Sequence, residues 1–276
     1  MRAVCPICPQ HCSLDEGQLG RCRGRMNQGG TVVCANYGRI TAVAVDPIEK
    51  KPLLHFHPGS YILSVGSYGC NLACPFCQNH EISMAGPEAP CQQVSPARLA
   101  ELARQLTRAP QGNIGVAFTY NEPLISYEYV RDTAQLLHEQ GLAVVIVTNG
   151  MIEPEPLAAL LPLVDAMNID LKGFAPAYYE WLGGRLETVQ ETIRLAAAAC
   201  HVEVTTLIVP GRNDSRAAME AEAAWLAGIS PELPLHISRF FPRYQLTGEP
   251  TPTAKIQELC TAAAKHLHYV HAGNCF

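Results

Sequence analysis

From residue 61 to residue 272 the chain alternates short apolar runs with longer amphipathic runs, and this pattern constrains the fold more than any other feature. The short runs are typical of buried strands, and the long runs repeat apolar residues every three to four positions, as helices do. Alternating strands and helices predict a parallel sheet with right-handed crossovers. Six such units are too few for a closed eight-fold barrel, so we predict an α/β fold with a partial (β/α)6 barrel.

The predicted boundaries follow from this pattern and from proline and glycine at helix ends. The predicted strands cover residues 62–66, 114–119, 143–148, 166–170, 202–209, 235–238 and 269–272. The predicted helices cover residues 96–108, 123–140, 154–161, 175–199, 215–227 and 253–266.

Three cysteines follow the first predicted strand at the spacing C-x3-C-x2-C, namely Cys70, Cys74 and Cys77. Thiolates are the ligands of iron–sulfur clusters. A four-iron cubane with three cysteines keeps one iron open, as catalytic metal sites keep an open position, and a small molecule must complete it. Two alternatives remain at this point: a zinc knuckle completed by His80, or a surface loop with idle thiols.

Four further cysteines stand near the N-terminus at the spacing C-x2-C-x3-C-x9-C: Cys5, Cys8, Cys12 and Cys22. Four thiolates can complete the tetrahedral coordination of a zinc ion. Zinc binding would then fold a segment that is too short to form a hydrophobic core of its own. A second iron–sulfur cluster with full cysteine ligation also fits the spacing. We favour zinc and leave the second cluster and the absence of a metal open. A closed site of either kind implies a structural or electron-relay role.

The segment after these cysteines predicts a β-hairpin. Residues 31–35 and 39–45 are rich in strand-forming residues and flank Asn36-Tyr37-Gly38. We therefore divide the chain into residues 1–58, with the metal-binding segment and the hairpin, and residues 59–276, with the barrel.

Polar clusters end the predicted strands, at the rim where α/β barrels carry their chemistry. After the cysteine loop, these clusters cover residues 119–123, 148–150, 168–173, 209–214 and 239–242. A single polar turn after a strand is common, but a whole rim of them indicates a site.

The cysteine loop, with Phe76 before its third cysteine, resembles the signature of radical S-adenosylmethionine (SAM) enzymes, and the motif order resembles their core over residues 61–275. The resemblance implies that Cys70, Cys74 and Cys77 hold a [4Fe-4S] cluster and that SAM chelates the open iron. It also implies that the cluster reductively cleaves SAM to methionine and a 5′-deoxyadenosyl radical, which abstracts a hydrogen atom from a substrate.

The same resemblance implies the SAM contacts. Tyr120-Asn121-Glu122-Pro123 stands where the family has Gly-Gly-Glu-Pro, which receives the methionine ammonium, although Tyr120 and Asn121 depart from the two glycines. Segments 148–150 and 170–172 are similar to parts of pyruvate formate-lyase activating enzyme near the SAM carboxylate and ribose, and Val209-Pro210-Gly211 resembles the loop under the adenine. The predicted cofactor-binding residues are Phe76, Tyr120, Asn121, Glu122, Thr148, Asn149, Asp170, Lys172, Val209 and Pro210.

Over its whole length the chain resembles the AmmeMemoRadiSam system radical SAM enzymes, a branch of the glycyl-radical-enzyme-activating proteins. The residues that carry this resemblance are the N-terminal cysteines, segments 46–53 and 57–60, and Cys77-Gln78-Asn79. It implies an oxidoreductase that acts on a protein or peptide as a glycyl-radical activase does, with a flavodoxin or ferredoxin as reductant. Modification of a small molecule or of another peptide is the alternative. A non-catalytic zinc or iron–sulfur scaffold or electron carrier is the rival class.

Charge and composition limit the classes of substrate and partner that the chain can be expected to bind. The net charge of -5 disfavours a nucleic-acid substrate, so an RNA-modifying enzyme is a third option only. The N-terminus lacks an apolar signal core, and no apolar run is as long as a membrane span, so we expect a cytoplasmic, reduced protein without membrane contact.

Overall fold

The computed structural model describes residues 1–275 and places one eight-stranded sheet at the centre of the chain. The strands are β1 (Ala3–Val4), β2 (Ser13–Leu14), β3 (Arg25–Gln28), β4 (Thr31–Cys34), β5 (Arg39–Ile40), β6 (Ala42–Pro47), β7 (Tyr61–Gly66), β8 (Gln92–Gln93), β9 (Gly115–Phe118), β10 (Ala143–Thr148), β11 (Ala166–Asp170), β12 (His201–Ile208), β13 (Leu235–Arg239) and β14 (Val270–Gly273). The helices are α1 (His80–Ser83), α2 (Pro96–Leu106), α3 (Tyr127–His138), α4 (Pro154–Leu160), α5 (Pro176–Leu182), α6 (Leu186–Ala197), α7 (Arg216–Ala227) and α8 (Thr253–Ala263).

The sheet confirms the predicted α/β fold. Its order is β14-β13-β12-β11-β10-β9-β7-β6, and every neighbouring pair is parallel except β6 with β7. Helices connect the parallel strands, as expected for a partial barrel, and in residues 1–275 the sheet ends at β6 and β14. None of the helices in this range combines the length and apolar character that a bilayer crossing needs.

Local sequence signals set most helix boundaries. Ser95 caps α2 by accepting a hydrogen bond from the backbone N–H of Arg98, and Pro96 occupies the first turn. The prediction of one helix over residues 175–199 is wrong, because Gly183 at φ 75° ends α5 and α6 begins at Leu186. At this break the carbonyl oxygen of Leu182 accepts a hydrogen bond from the N–H of Ala73 in the cysteine loop at 2.9 Å.

The prediction of a hairpin between residues 31–35 and 39–45 is also wrong, because these segments do not pair with each other. Strand β4 pairs antiparallel with β3 across Gly29 and Gly30, which both adopt positive φ and so suit a tight hairpin turn. Strand β6 joins the main sheet beside β7, and β5 pairs with β8. The Gly-Gly pair was the turn signal, and Asn36 instead donates its buried side-chain N–H to the carbonyl oxygen of Tyr68.

Residues 48–57, which we call the plug segment, pack into the inside of the barrel below the rim. Ile48 and Leu53 of this segment are fully buried in a small apolar cluster with Ile62, Ala117 and Val145 from three neighbouring strands. The residues that alternate with these on the strands belong to the larger core beneath the helices. The plug segment thus forms a floor inside the barrel.

Glu203 on β12 anchors the plug segment and is fully buried. Its carboxylate accepts hydrogen bonds from the backbone N–H groups of Leu54 and His55 at 3.0 and 2.7 Å. The rings of His201 and His236 lie 3.0 and 2.6 Å from its two oxygens. Burial alone would raise the pKa of Glu203, but these hydrogen bonds hold the pKa below its usual value.

Replacing Glu203 with leucine is expected to lower the free energy of unfolding at pH 7 by about 3–5 kcal/mol, because it leaves buried donors unpaired. The contribution of Glu203 is present above the pKa of an unfolded glutamate, about 4.3, and is lost as the pH falls below it. Urea unfolding at pH 7 and at lower pH measures both effects. The exposed Glu101→Gln variant is the control and should change stability by less than about 1 kcal/mol. An equally small effect of Glu203→Leu would contradict the anchoring role.

Candidate active site

The cysteine loop leaves the C-terminal end of β7 and wraps over the barrel rim. Gly69 enters the loop at φ 89°, and a Cβ there would overlap the carbonyl oxygen of Cys22 from the N-terminal segment. Glycine is therefore required both by its conformation and by the close approach of a second backbone. Cys74 is buried, Cys70 and Cys77 are partly buried, and all three are free thiols.

A Gly69→Ala substitution is expected to destabilise the protein by about 1–3 kcal/mol more than Gly112→Ala. Gly112 also has positive φ, at 71°, but a Cβ there would meet nothing within 4 Å. The control therefore measures the conformational strain alone, about 1–2 kcal/mol, and the difference measures the clash. Chemical denaturation of both variants checks this, and equal losses of stability would show that the two backbones can separate freely.

A pocket of about 380 Å³ opens at the rim beside this loop. It brings together most of the predicted site residues: Cys70, Cys74, Phe76, Cys77, Tyr120, Asn121, Glu122, Thr148, Asn149, Asp170 and Lys172. Lys50 and Pro52 of the plug segment also line it. A larger cavity of about 490 Å³ lies against the start of β12 and holds none of these motifs.

Glu122 is the carboxylate of the pocket that is best suited to bind a cationic group of a cofactor. It is only 3% exposed and pairs with no cation among residues 1–275. It accepts hydrogen bonds from the N–H groups of Leu124 and Asn149 at 3.0 and 2.8 Å and from the Thr148 hydroxyl at 2.7 Å. A carboxylate offers about four lone-pair positions, so one acceptor position remains. Burial raises the pKa of Glu122 to about 7, and a bound cation would relieve that penalty.

Asp170 and Lys172 form an ion pair on the wall of the same pocket, with Nζ 2.6 Å from the carboxylate. Burial disfavours the charged lysine, but the attractions of Asp170 and of the neighbouring Cys74 together outweigh burial and raise the pKa of Lys172. The pKa of Cys74 is raised to about 12 by burial, and the positive charge of Lys172 partly opposes this. The pair therefore places a fixed cation near the thiol that must ionise when it binds a metal.

Tyr120 has a left-handed backbone at φ 71°, which is rare for a bulky residue. Its hydroxyl donates to the carboxylate of Asp46 at 2.9 Å, and Lys51 donates to the same oxygen at 2.9 Å. The ammonium of Lys51 also lies 4.9 Å from the centre of the Tyr120 ring. These contacts hold the strained residue where the resemblance expects a glycine.

The donor set fits an iron–sulfur cluster. No three histidine, cysteine, aspartate or glutamate side chains in residues 1–275 converge closely enough to hold a single metal ion. The thiols of Cys70, Cys74 and Cys77 instead line one wider pocket together, as ligands of different corners of a cubane would. Glu122 lines the same pocket without a cationic partner among residues 1–275, and it fits the ammonium of SAM.

Two predicted SAM-binding residues lie outside the pocket. Val209 is buried in the core and Pro210 is exposed. The side chain of Asn213 accepts from the N–H of Val209 at 2.7 Å and donates to the carbonyl oxygens of Lys172 and Leu207, which ties this turn to two residues that line the pocket. Contact of Val209 and Pro210 with the adenine stays a prediction.

The strand and cysteine patterns do not predict the charged network beside the pocket. Segment 46–53 is singled out only by the whole-chain resemblance, and Asp46, Lys50 and Lys51 are not among the predicted site residues. The available signal was the position of these charges, with Asp46 just before Pro47 and both lysines between Pro47 and Pro52. Similarly, Asn149 was predicted as a SAM contact, but its side chain also donates to Asn71 at 2.9 Å and so braces the cysteine loop.

The sequence of this chain is similar to a known family and to a protein of high sequence identity. The family model of the Radical SAM superfamily matches residues 64–224, more than half of the chain. The uncharacterized protein MJ0808 of Methanocaldococcus jannaschii is 41% identical over 275 residues, which cover 98% of this chain and 80% of that protein.

More distant relatives have diverse names. The FeMo cofactor biosynthesis protein NifB of Klebsiella pneumoniae is 26% identical over 67% of this chain and 46% of its own length. The benzylsuccinate synthase activating enzyme of Thauera aromatica is 26% identical over 70% of this chain and 58% of its own length. The chain thus spans about half the length of these two relatives.

The fold also matches solved structures. The crystal structure of a radical SAM methyltransferase from Sphaerobacter thermophilus aligns with a TM-score of 0.60 and 16% identity over 79% of this chain and 67% of that chain.

Proposed function

We propose, because this chain belongs to the radical SAM superfamily, that Cys70, Cys74 and Cys77 hold a [4Fe-4S] cluster and that the rim pocket binds SAM. The observation that carries the proposal is the meeting of three free thiols and one buried, cation-free carboxylate on the wall of a single pocket. When bound, the cluster and SAM supply reductive cleavage of SAM and a radical that abstracts a hydrogen atom.

The residues of the chain bind and orient the cofactor and shield the site from water. Glu122 holds the methionine ammonium, and Thr148 and Asn149 hold Glu122 in place. The plug segment closes the barrel below the pocket, which excludes water from the interior. The Asp170–Lys172 pair keeps one cation beside Cys74. A flavodoxin- or ferredoxin-like protein supplies the electron.

The proposed substrate is a glycine residue of a protein or peptide. The pocket reaches Lys50 after β6 and Asn274 after β14, and these two strands are the edges of the sheet, so an extended loop could approach between them. The relative named as a benzylsuccinate synthase activating enzyme supports an activase reaction. The relative named NifB leaves small-molecule chemistry as the alternative.

SAM cleavage tests the first part of this proposal. Protein reconstituted with iron and sulfide without oxygen should form 5′-deoxyadenosine when SAM and dithionite are added. Adding SAM alone should change the electron paramagnetic resonance (EPR) spectrum of the reduced protein. No 5′-deoxyadenosine and no spectral change would overturn the assignment to SAM.

Deuterium transfer tests the substrate. Lysate of the source organism, grown with α-deuterated glycine, is divided into protein and small-molecule fractions, and each is incubated with the enzyme, SAM and reductant. Deuterium in 5′-deoxyadenosine from the protein fraction supports the activase reaction. Deuterium from the small-molecule fraction alone supports the alternative, and no deuterium from either fraction rules out glycine as the hydrogen donor.

A further inference from the structure

A second cavity, beside the cysteine loop, is lined by Cys5, Cys8, Cys12 and Cys22. The first, second and fourth of these are 5%, 7% and 6% exposed, and all four are free thiols. Four thiols around a closed, solvent-shielded cavity are an uncommon arrangement unless something binds between them.

Arg25 gives an independent sign of what binds there. It lines the cavity and is 3% exposed, and its two terminal nitrogens each donate to Glu128 at 2.7 Å. Its remaining donor, Nε, is buried without a hydrogen-bond partner. An unpaired buried donor costs about 1–3 kcal/mol, so this N–H suits an anionic occupant with acceptor atoms. Sulfur ligated to a metal is such an acceptor.

The arrangement of the thiols distinguishes two metal centres. Structural zinc sites bring four sulfurs to about 2.3 Å from one ion, usually from two separate cysteine pairs. Here three cysteines lie within eight residues, as in the Cys70–Cys77 loop, and the fourth, Cys22, follows ten positions after the third without a paired cysteine. The thiols surround a cavity and, as noted for residues 1–275, no three of them converge on one point. We infer that the N-terminal cysteines bind an iron–sulfur cluster with four cysteine ligands, and not zinc.

This cluster lies next to the radical SAM loop. The side chain of Asn71 lines the N-terminal cavity, and Asn71 directly follows Cys70. On the other side, the carbonyl oxygen of Cys22 occupies the space that a side chain at residue 69 would need. The two sets of ligands are therefore separated by one layer of residues, and two reduced clusters at this separation would influence each other's EPR spectra.

The experiment isolates the N-terminal site in the full chain. A Cys70→Ala/Cys74→Ala/Cys77→Ala variant is reconstituted with iron, sulfide and zinc together, and bound iron, sulfide and zinc are counted. We expect about four irons and four sulfides per chain, no zinc, and an EPR signal after reduction that SAM does not change. Adding Cys8→Ala should abolish the bound iron, whereas Cys34→Ala, which changes a nearby, partly buried thiol outside the cavity, should retain it.

One zinc without sulfide, or no bound metal, in the triple variant would overturn the inference. Circular dichroism shows whether each variant is folded, and the triple variant decides the question even if Cys8→Ala does not fold. In the wild type, a reduced spectrum that is broader than the sum of the two isolated signals would confirm that the sites are adjacent, and a simple sum would contradict it. None of these measurements depends on SAM cleavage, so the inference and the proposed function can fail separately.

Discussion

A Cys74→Ala variant, reconstituted in the same way as the wild type, forms 5′-deoxyadenosine more than about 100-fold more slowly. Loss of a residue that only supports a metal ligand commonly lowers activity by about 10–100-fold, and Cys74 is a proposed ligand itself. The EPR response to SAM disappears as well, because the cluster that SAM would bind is no longer held. Activity and spectra are measured on samples with the same protein concentration.

Cys200→Ala is the matched control for this experiment. The pKa values of Cys74 and Cys200 are both raised to about 12 by burial, but Cys200 lines the cavity at the start of β12 and is absent from the rim pocket. The control should keep the iron content, the SAM response and the rate of the wild type. If the Cys74→Ala variant cleaved SAM at the wild-type rate, Cys74 would not be a cluster ligand. The proposal that the cysteine loop holds the cluster would then be contradicted.

A Glu122→Gln variant is expected to bind SAM about 10–100-fold more weakly, because a charge-assisted hydrogen bond to the ammonium becomes a neutral one. The pH gives a second readout. Burial raises the pKa of Glu122 to about 7, so the affinity of the wild type for SAM should weaken as the pH falls from 8 to 6 relative to that of the variant, which lacks this titrating group. Equilibrium binding to the reconstituted protein measures both effects.

Stability must be checked in parallel, since Glu122 is buried. A carboxyl whose pKa is raised by folding stabilises the fold below its unfolded pKa, and that contribution is lost as the pH rises through 7. Removing the charge should therefore offset the unpaired N–H of Asn149, and we expect a net change in unfolding free energy below about 2 kcal/mol at pH 8. Glu222→Gln is the control, because burial also raises its pKa, to about 8, but it contacts Thr206 and lies outside the pocket. Equal losses of SAM affinity in both variants would contradict a direct contact.

The parallel strands could be predicted from the sequence because burial on both faces makes them continuous apolar runs. Strands β10 and β11 begin and end where the pattern indicates. The polar clusters that follow them meet at one rim because parallel strands end on one side, which is why Glu122, Thr148 and Asp170 could be placed near Cys70 from the sequence.

The parts that could not be predicted depend on contacts between distant segments. Nothing local shows that β6 pairs with β7 and not with β4, or that residues 48–57 turn into the barrel. Glu203 reads as a polar residue within an apolar strand, and only the fold reveals that it binds Leu54 and His55. His271 is partly buried, and its ring nitrogen lies 2.9 Å from that of His55, more than 200 positions earlier in the chain.

The unpaired edges of the sheet also set how the molecule can fluctuate. Between β6 and β14 the barrel wall is held by side chains such as His55, which contacts Tyr269 and His271, and not by a ladder of backbone hydrogen bonds. Separation along this line breaks a few weak contacts, whereas separation anywhere else in the wall breaks a whole strand pairing. Among the strands of the sheet, amide hydrogen exchange should therefore be fastest in β6 and β14 and slowest in β10 and β11. The boundary between β6 and β14 is where the barrel can open locally without global unfolding.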